Sequence, residues 1–275
     1  MVAKAEQQLS DQENESKLVE RSSSSRTAYL ITSAILLLVT AVFGFQSFYP
    51  KSIGPISNVL PSVLAGAAFV SAGLCVRKYG LKLSENFARI WFLFALGPAC
   101  WLIAEITWAA YYFFLNIPIP YPSIADIFYL AAYVPLSIGV FMYFRAFSGA
   151  LTRRRLIASV GTIAAATILV FAFVIPSELS IGNPPVETIT DLAYPALDLV
   201  LFSLAVLSLA IFLGGSIGKW WILLAGAIIL DIIADEYFLY LEAKGTYYNG
   251  SFDDLIYLWA YLIFALAFYV HKKEL

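Results

Sequence analysis

The chain has one histidine, His271, close to its C-terminus. That excludes a multi-histidine metal hydrolase site and a haem held by two histidines. Cysteine is nearly absent too. Cys75 and Cys100 both fall inside apolar stretches and read as buried thiols rather than a disulfide framework. No lysine sits in the middle of an apolar run, which argues against a retinal Schiff base. "GGSIGKW" at 214–220 lacks the spacing of a phosphate loop and the Ser/Thr after Lys219, so it reads as a short connection. Paired carboxylates have neither a nucleophile nor a metal set beside them, so no catalytic residues are assigned and the expected protein is not an enzyme. No cofactor, metal or nucleic-acid partner is expected.

Charge is scarce as well. Only 13% of the 275 residues are charged and 61% are hydrophobic, against about a quarter charged in an ordinary globular chain. Apolar runs of roughly 20 residues, enough to cross a bilayer, recur along almost the whole length. They are continuous rather than alternating, which excludes a β-barrel. The fold class is therefore an all-α polytopic membrane protein, with membrane lipid as its solvent. Eight transmembrane helices are expected near 27–48, 56–76, 88–115, 123–146, 154–176, 189–213, 219–242 and 252–271. Residues 1–26, polar and rich in Ser and Glu, read as a disordered tail. They contain no apolar stretch of the kind that marks a cleavable signal peptide. Of the 17 Lys and Arg, all but Lys51 and Lys244 fall on the side of the termini. The positive-inside rule makes that side cytoplasmic and places the protein in the cell (plasma) membrane as a multi-pass chain.

"YPSIADIFYLAAY" at 121–133 has a relative in "NGSFDDLIYLWAY" at 249–261. Ser123, Asp126, Tyr129 and Tyr133 match Ser251, Asp254, Tyr257 and Tyr261. In the preceding spans Glu105 aligns with Asp235 or, alternatively, with Asp231, and Trp108 with Phe238. Pro61 matches Pro195. The expectation is a duplicated four-helix unit (4+4), residues 27–150 and 151–275. Four spans per unit keep both copies in one orientation, a parallel repeat.

Three helix starts carry a capping-box pattern, a hydroxyl followed three residues later by a carboxylate: Ser123 with Asp126, Thr188 with Asp191, and Ser251 with Asp254. Such a carboxylate satisfies orphan amides that lipid cannot. Caps do not explain Glu105, Asp198 and Asp231, which lie deeper. Glu105 is about 16 Å from its helix end at about 1.5 Å per residue. A carboxylate near the bilayer midplane turns toward a partner or a wet cavity. Helical spacing groups Trp101, Glu105, Trp108 and Tyr112 on one face, and Asp126, Tyr129 and Tyr133 on another. Asp191, Tyr194 and Asp198 share a third, Asp231 and Asp235 a fourth, and Asp254, Tyr257 and Tyr261 a fifth. These acid–aromatic stripes read either as interhelical hydrogen bonds or as the wall of an outward-facing cavity that holds a small cationic or lipid-like ligand. Tyr111, Tyr112, Tyr121, Tyr247 and Tyr248, and on the inner side Trp220 and Trp221, read as interfacial belt residues.

"YPSIADIFYLAAYVPLSIGVFMYFR" at 121–145, preceded by "WLIAEITWAAYYF" and echoed by "DEYFLYLEAKGTYYNGSFDDLIYLWAYLIFALA", resembles the multi-helix membrane input domain found ahead of diguanylate cyclases and histidine kinases in prokaryotes. The resemblance covers most of residues 28–271 and places Glu105, Asp126, Asp235 and Asp254 at its motif positions. It implies a sensor. Only "HKKEL" follows the last span, so the expectation is no attached output domain and a signal passed to a separate cytoplasmic partner. Two other functions fit the composition: a proton- or cation-coupled transporter, and a scaffold subunit of a membrane complex.

Overall fold

The computed structural model describes residues 24–115, 121–176, 179, 182–213 and 218–274. Eight helices run through the described residues: α1 (Ser24–Gly44), α2 (Pro50–Tyr79), α3 (Asn86–Ala110, continued by a wider π turn at Tyr111–Leu115), α4 (Ile124–Phe147), α5 (Arg153–Leu169, with a π turn at Val170–Val174), α6 (Pro185–Phe212), α7 (Gly218–Ala243) and α8 (Phe252–Glu274). Seven of them are long and apolar enough to cross a membrane, which makes this a multi-pass membrane protein. The other, α7, is as long but carries Lys219, Asp231, Asp235, Glu236 and Glu242. The polar tail expected over 1–26 lies outside the described residues except for 24–26, which form the first turn of α1.

The helix starts follow from local chemistry. Ser123 and Asp126 cap α4 reciprocally. The Asp126 carboxylate accepts from the Ser123 amide at 2.6 Å, and the Ser123 hydroxyl accepts from the Ala125 amide at 3.1 Å. The box expected at Thr188 and Asp191 does not form. Helix α6 begins at Pro185, because proline is well suited to the first helical position, where its missing amide hydrogen is not needed. Thr188 is thereby already helical, and its hydroxyl donates back to the carbonyls of Asn183 and Pro184. At α8 the pattern is shifted by one residue: the Asp254 carboxylate takes the Gly250 amide at 2.6 Å, and the Ser251 hydroxyl turns to Asp253. Gly250 has φ +100°, and a Cβ there would meet Ile53 at 2.4 Å, so the turn into α8 requires glycine.

Six helices pack so that neighbouring contacts close on themselves, in the order α2, α3, α4, α6, α7, α8 and back to α2. Helices α1 and α5 lie outside this ring. Helix α1 runs antiparallel to α8, joined by Ser24 with Tyr269 (2.9 Å) and by the Trp259 indole donating to Thr40 (3.0 Å). Helix α5 packs on α6, where the Arg155 guanidinium donates to the carbonyls of Ala210, Ile211 and Leu213 at the α6 C-terminus. The Ser24–Tyr269 contact brings both ends of the chain of helices to one end of the bundle, here the terminal end; the opposite end is the distal end.

In the terminal half the ring is filled by aromatic side chains. Trp91 packs against Trp220 (5.6 Å between centroids), Phe268 (5.9 Å) and His271 (4.1 Å), and Tyr143 packs edge-on against Trp220, Trp221 and Phe212. Trp220 and Trp221, expected in an interfacial belt, are buried here instead. At the start of α7 Lys219 and Ile222 face outward while both indoles turn into the ring, where they pack on Tyr143 and, for Trp221, on Phe212.

Candidate functional site

In the distal half the same ring holds acids and tyrosines. Each stripe brings one or two carboxylates inward because a buried carboxylate needs donors, and neighbouring helices supply phenol hydroxyls. Tyr194 on α6 donates to Asp126 on α4 (2.9 Å), and Tyr261 on α8 donates to Glu105 on α3 (2.8 Å). Tyr257 donates to Asp235 Oδ1 (2.5 Å), and Tyr129 shares the cavity wall with Glu105. The Tyr133 hydroxyl oxygen lies 2.6 Å from Asp198 Oδ1 and 2.5 Å from Asp235 Oδ2, joining α4, α6 and α7. The interhelical hydrogen bonds that the stripes suggested are thus all made by tyrosine.

A cavity opens among these groups. Glu105 and Trp108 of α3, Asp126 and Tyr129 of α4, Tyr194 of α6, Asp235 of α7, and Asp254 and Tyr257 of α8 line it. Its volume is about 60 Å³, and the empty space counted out to its open mouth is about 620 Å³. Four carboxyl groups face it, and no Lys, Arg or His among the described residues does. Trp108 meets Phe238 edge-on (6.2 Å) and Tyr247 (6.4 Å), so an aromatic rim borders the acids.

Seven of the stripe residues stand off the wall. Trp101 packs under the site on Tyr261 and Phe264. Tyr133, Tyr261 and Asp198 form the hydrogen-bonded layer beneath, and Asp231 is buried one helical turn below Asp235. Tyr112 lies against Gly54 of α2, where a Cβ would meet its hydroxyl at 2.6 Å. Asp191 is also off the wall and accepts from Tyr121 at 2.7 Å. Ser57, Pro61, Phe238, Leu239 and Tyr247 complete the lining and were not singled out by the stripes. Tyr247 comes from the loop before α8, where helical spacing carries no signal. Burial and the neighbouring Asp254 carboxylate push its hydroxyl well above the usual phenol value, which keeps it a donor to Asp254 (3.4 Å).

Among the described residues that line the site, no Ser, Thr or Cys stands beside a His or Lys. Among the described residues no group of three His, Cys, Asp or Glu side chains is disposed to hold a metal ion. What it offers is negative charge and aromatic faces around a small open space. Comparison of the chain with protein-family models, curated proteins and solved structures returns no match.

Proposed function

We propose that this protein is an integral membrane sensor module whose distal cavity binds a small organic cation and whose bound state is read by a separate cytoplasmic partner. The observation that carries the proposal is the charge imbalance of the cavity: Glu105, Asp126, Asp235 and Asp254 face it with no basic side chain opposite among the described residues. A desolvated cation over aromatic rings gains about 2 kcal/mol or more beyond ordinary contact. All eight helices span, with the basic residues at the terminal end on the cytoplasmic side. The cavity then opens outward.

A 4+4 parallel repeat underlies this site. Exchanging α2, α3 and α4 with α6, α7 and α8 in the order of helix contacts leaves that order unchanged, which supports the repeat. It also pairs Tyr261 on Glu105 with Tyr133 on Asp235 as equivalent bonds. Trp108 and Phe238, aligned in sequence, meet across the site. The Asp–Tyr segments are the ones that resemble prokaryotic membrane input domains. The resemblance supports a sensory reading. The aromatic packing of the terminal half, with Trp91 packed on both Trp220 and Phe268, favours binding over passage through the membrane.

The test is equilibrium binding to the purified full chain, with tetramethylammonium as the probe and neutral tert-butanol as the control. Saturable binding of the cation, weakened by Glu105→Gln and absent for the alcohol, is expected. Equal binding of both probes, or of neither, overturns the cation reading.

A further inference from the structure

The two contacts of Tyr133 need more hydrogens than tyrosine and two carboxylates supply. Its oxygen is at hydrogen-bond distance from Asp198 Oδ1 (2.6 Å) and from Asp235 Oδ2 (2.5 Å). A phenol carries one hydrogen and an ionised carboxylate carries none. With both acids ionised, one of the contacts would press two lone pairs together. A hydrogen on one carboxyl removes the conflict, because that group donates to Tyr133 while Tyr133 donates to the other.

The surroundings decide which acid holds it. Asp235 accepts at both oxygens, from Tyr133 and from Tyr257 at 2.5 Å, and suits a negative charge. Asp198 is only 2% exposed, and its Oδ2 has no hydrogen-bond partner among the described residues. The charged side chains whose fields reach it, Asp235, Glu236 and Asp231 of α7, are all acids. A bare anionic oxygen there lacks any compensating donor, whereas the carbonyl of a neutral acid is far less costly to bury.

We propose that Asp198 is a buried proton-binding site and that Tyr133 links it to Asp235 on the cavity wall as a relay. Transfer along it balances. The Asp198 O–H bond breaks as the Tyr133 oxygen takes that hydrogen. Tyr133 gives its own hydrogen to Asp235 Oδ2, leaving Asp198 ionised, Tyr133 neutral and Asp235 protonated. The related arm differs. Tyr261 reaches one carboxylate, Glu105, and alignment of Pro61 with Pro195 puts Leu64 at the position of Asp198. Only one arm therefore has the extra acid. This site stands whether or not the cavity takes a cation.

The experiment is infrared spectroscopy of the full chain in lipid vesicles, made with isotope-labelled aspartate, at neutral pH in water and heavy water. The expected result is a carbonyl band of a protonated aspartate that Asp198→Asn removes and Asp191→Asn leaves in place. Asparagine brings its own N–H donor to Tyr133, so the variant keeps the contact. Tyr133→Phe retains both acids and is expected to keep the band at a shifted frequency. Absence of the band in the parent protein, its survival in Asp198→Asn, or an unshifted band in Tyr133→Phe overturns the proposal. If Asp198→Asn does not fold, the Tyr133→Phe frequency decides. A band found in a protein that binds no tetramethylammonium sinks the ligand reading and leaves the proton site intact.

Discussion

The two halves of the helix ring use aromatic residues to opposite ends. In the terminal half rings meet rings: Phe212 stacks on Trp221 at 5.4 Å, and Trp91 is covered by Phe94, Trp220 and Phe268. Tyr143 there packs by its face and edge. In the distal half Tyr121, Tyr133, Tyr194, Tyr247, Tyr257 and Tyr261 instead use their hydroxyls, each on a carboxylate. The difference lies in what stands one turn away. Asp126 precedes Tyr129 by three positions, Asp191 precedes Tyr194 by three and Asp254 precedes Tyr257 by three, and Asp126, Tyr129, Tyr194, Asp254 and Tyr257 all line the polar site. In the terminal half Tyr143 and the tryptophans close-pack like a soluble core, and the tyrosine hydroxyls there find neutral partners, Tyr79 with His271 and Tyr269 with Ser24. A bundle in lipid gains cohesion from packing and from interhelical hydrogen bonds, and this chain separates the two along its axis.

That separation gives graded expectations. Trp91→Ala removes the centre of the terminal packing and is expected to cost about 3–5 kcal/mol, read as a large fall in thermal stability in detergent. If Trp91→Ala costs no more than substitutions in the cavity, the two halves do not differ as described. Gly97→Ala tests how tightly α3 and α4 approach. Its Cβ would meet Leu136 Cγ at 2.5 Å, and a loss of about 1–3 kcal/mol is expected in the same assay. Glu105→Gln should barely move that stability, because the amide oxygen still accepts from Tyr261. It is expected to weaken tetramethylammonium binding about 10-fold, or ~1.4 kcal/mol. Ser123→Ala removes a helix cap and is expected to cost about 1 kcal/mol. Thr188→Ala removes none and should stay within about 0.5 kcal/mol. Equal losses at Ser123 and Thr188 would contradict the start of α6 at Pro185.

The helices were legible from the sequence because continuous apolar runs of bilayer length leave little else for the chain to do. The cap at Ser123 was legible from its spacing. Thr188 carries the same spacing and was misleading, because Pro184 and Pro185 upstream start the helix first. Stripe membership placed Asp126, Tyr129, Asp254 and Tyr257 on the cavity, but Tyr133 and Tyr261, one turn deeper, fall in the layer beneath it. Depth along a helix separates wall from floor, and spacing alone does not report it. Trp220 and Trp221 were illegible because tryptophan serves belts and cores equally well. The meeting of Tyr133 with Asp198 depends on α4 lying beside α6, with α5 displaced outside, and helix order in a ring is written in no single segment.

The central claim is that the distal half binds and the terminal half seals. It is tested most directly by following radiolabelled tetramethylammonium into vesicles that contain the purified protein. The account predicts saturable binding at the distal face with no accumulation inside beyond that of protein-free vesicles. Accumulation that depends on the protein and is lost in Glu105→Gln would contradict it and make the chain a transporter.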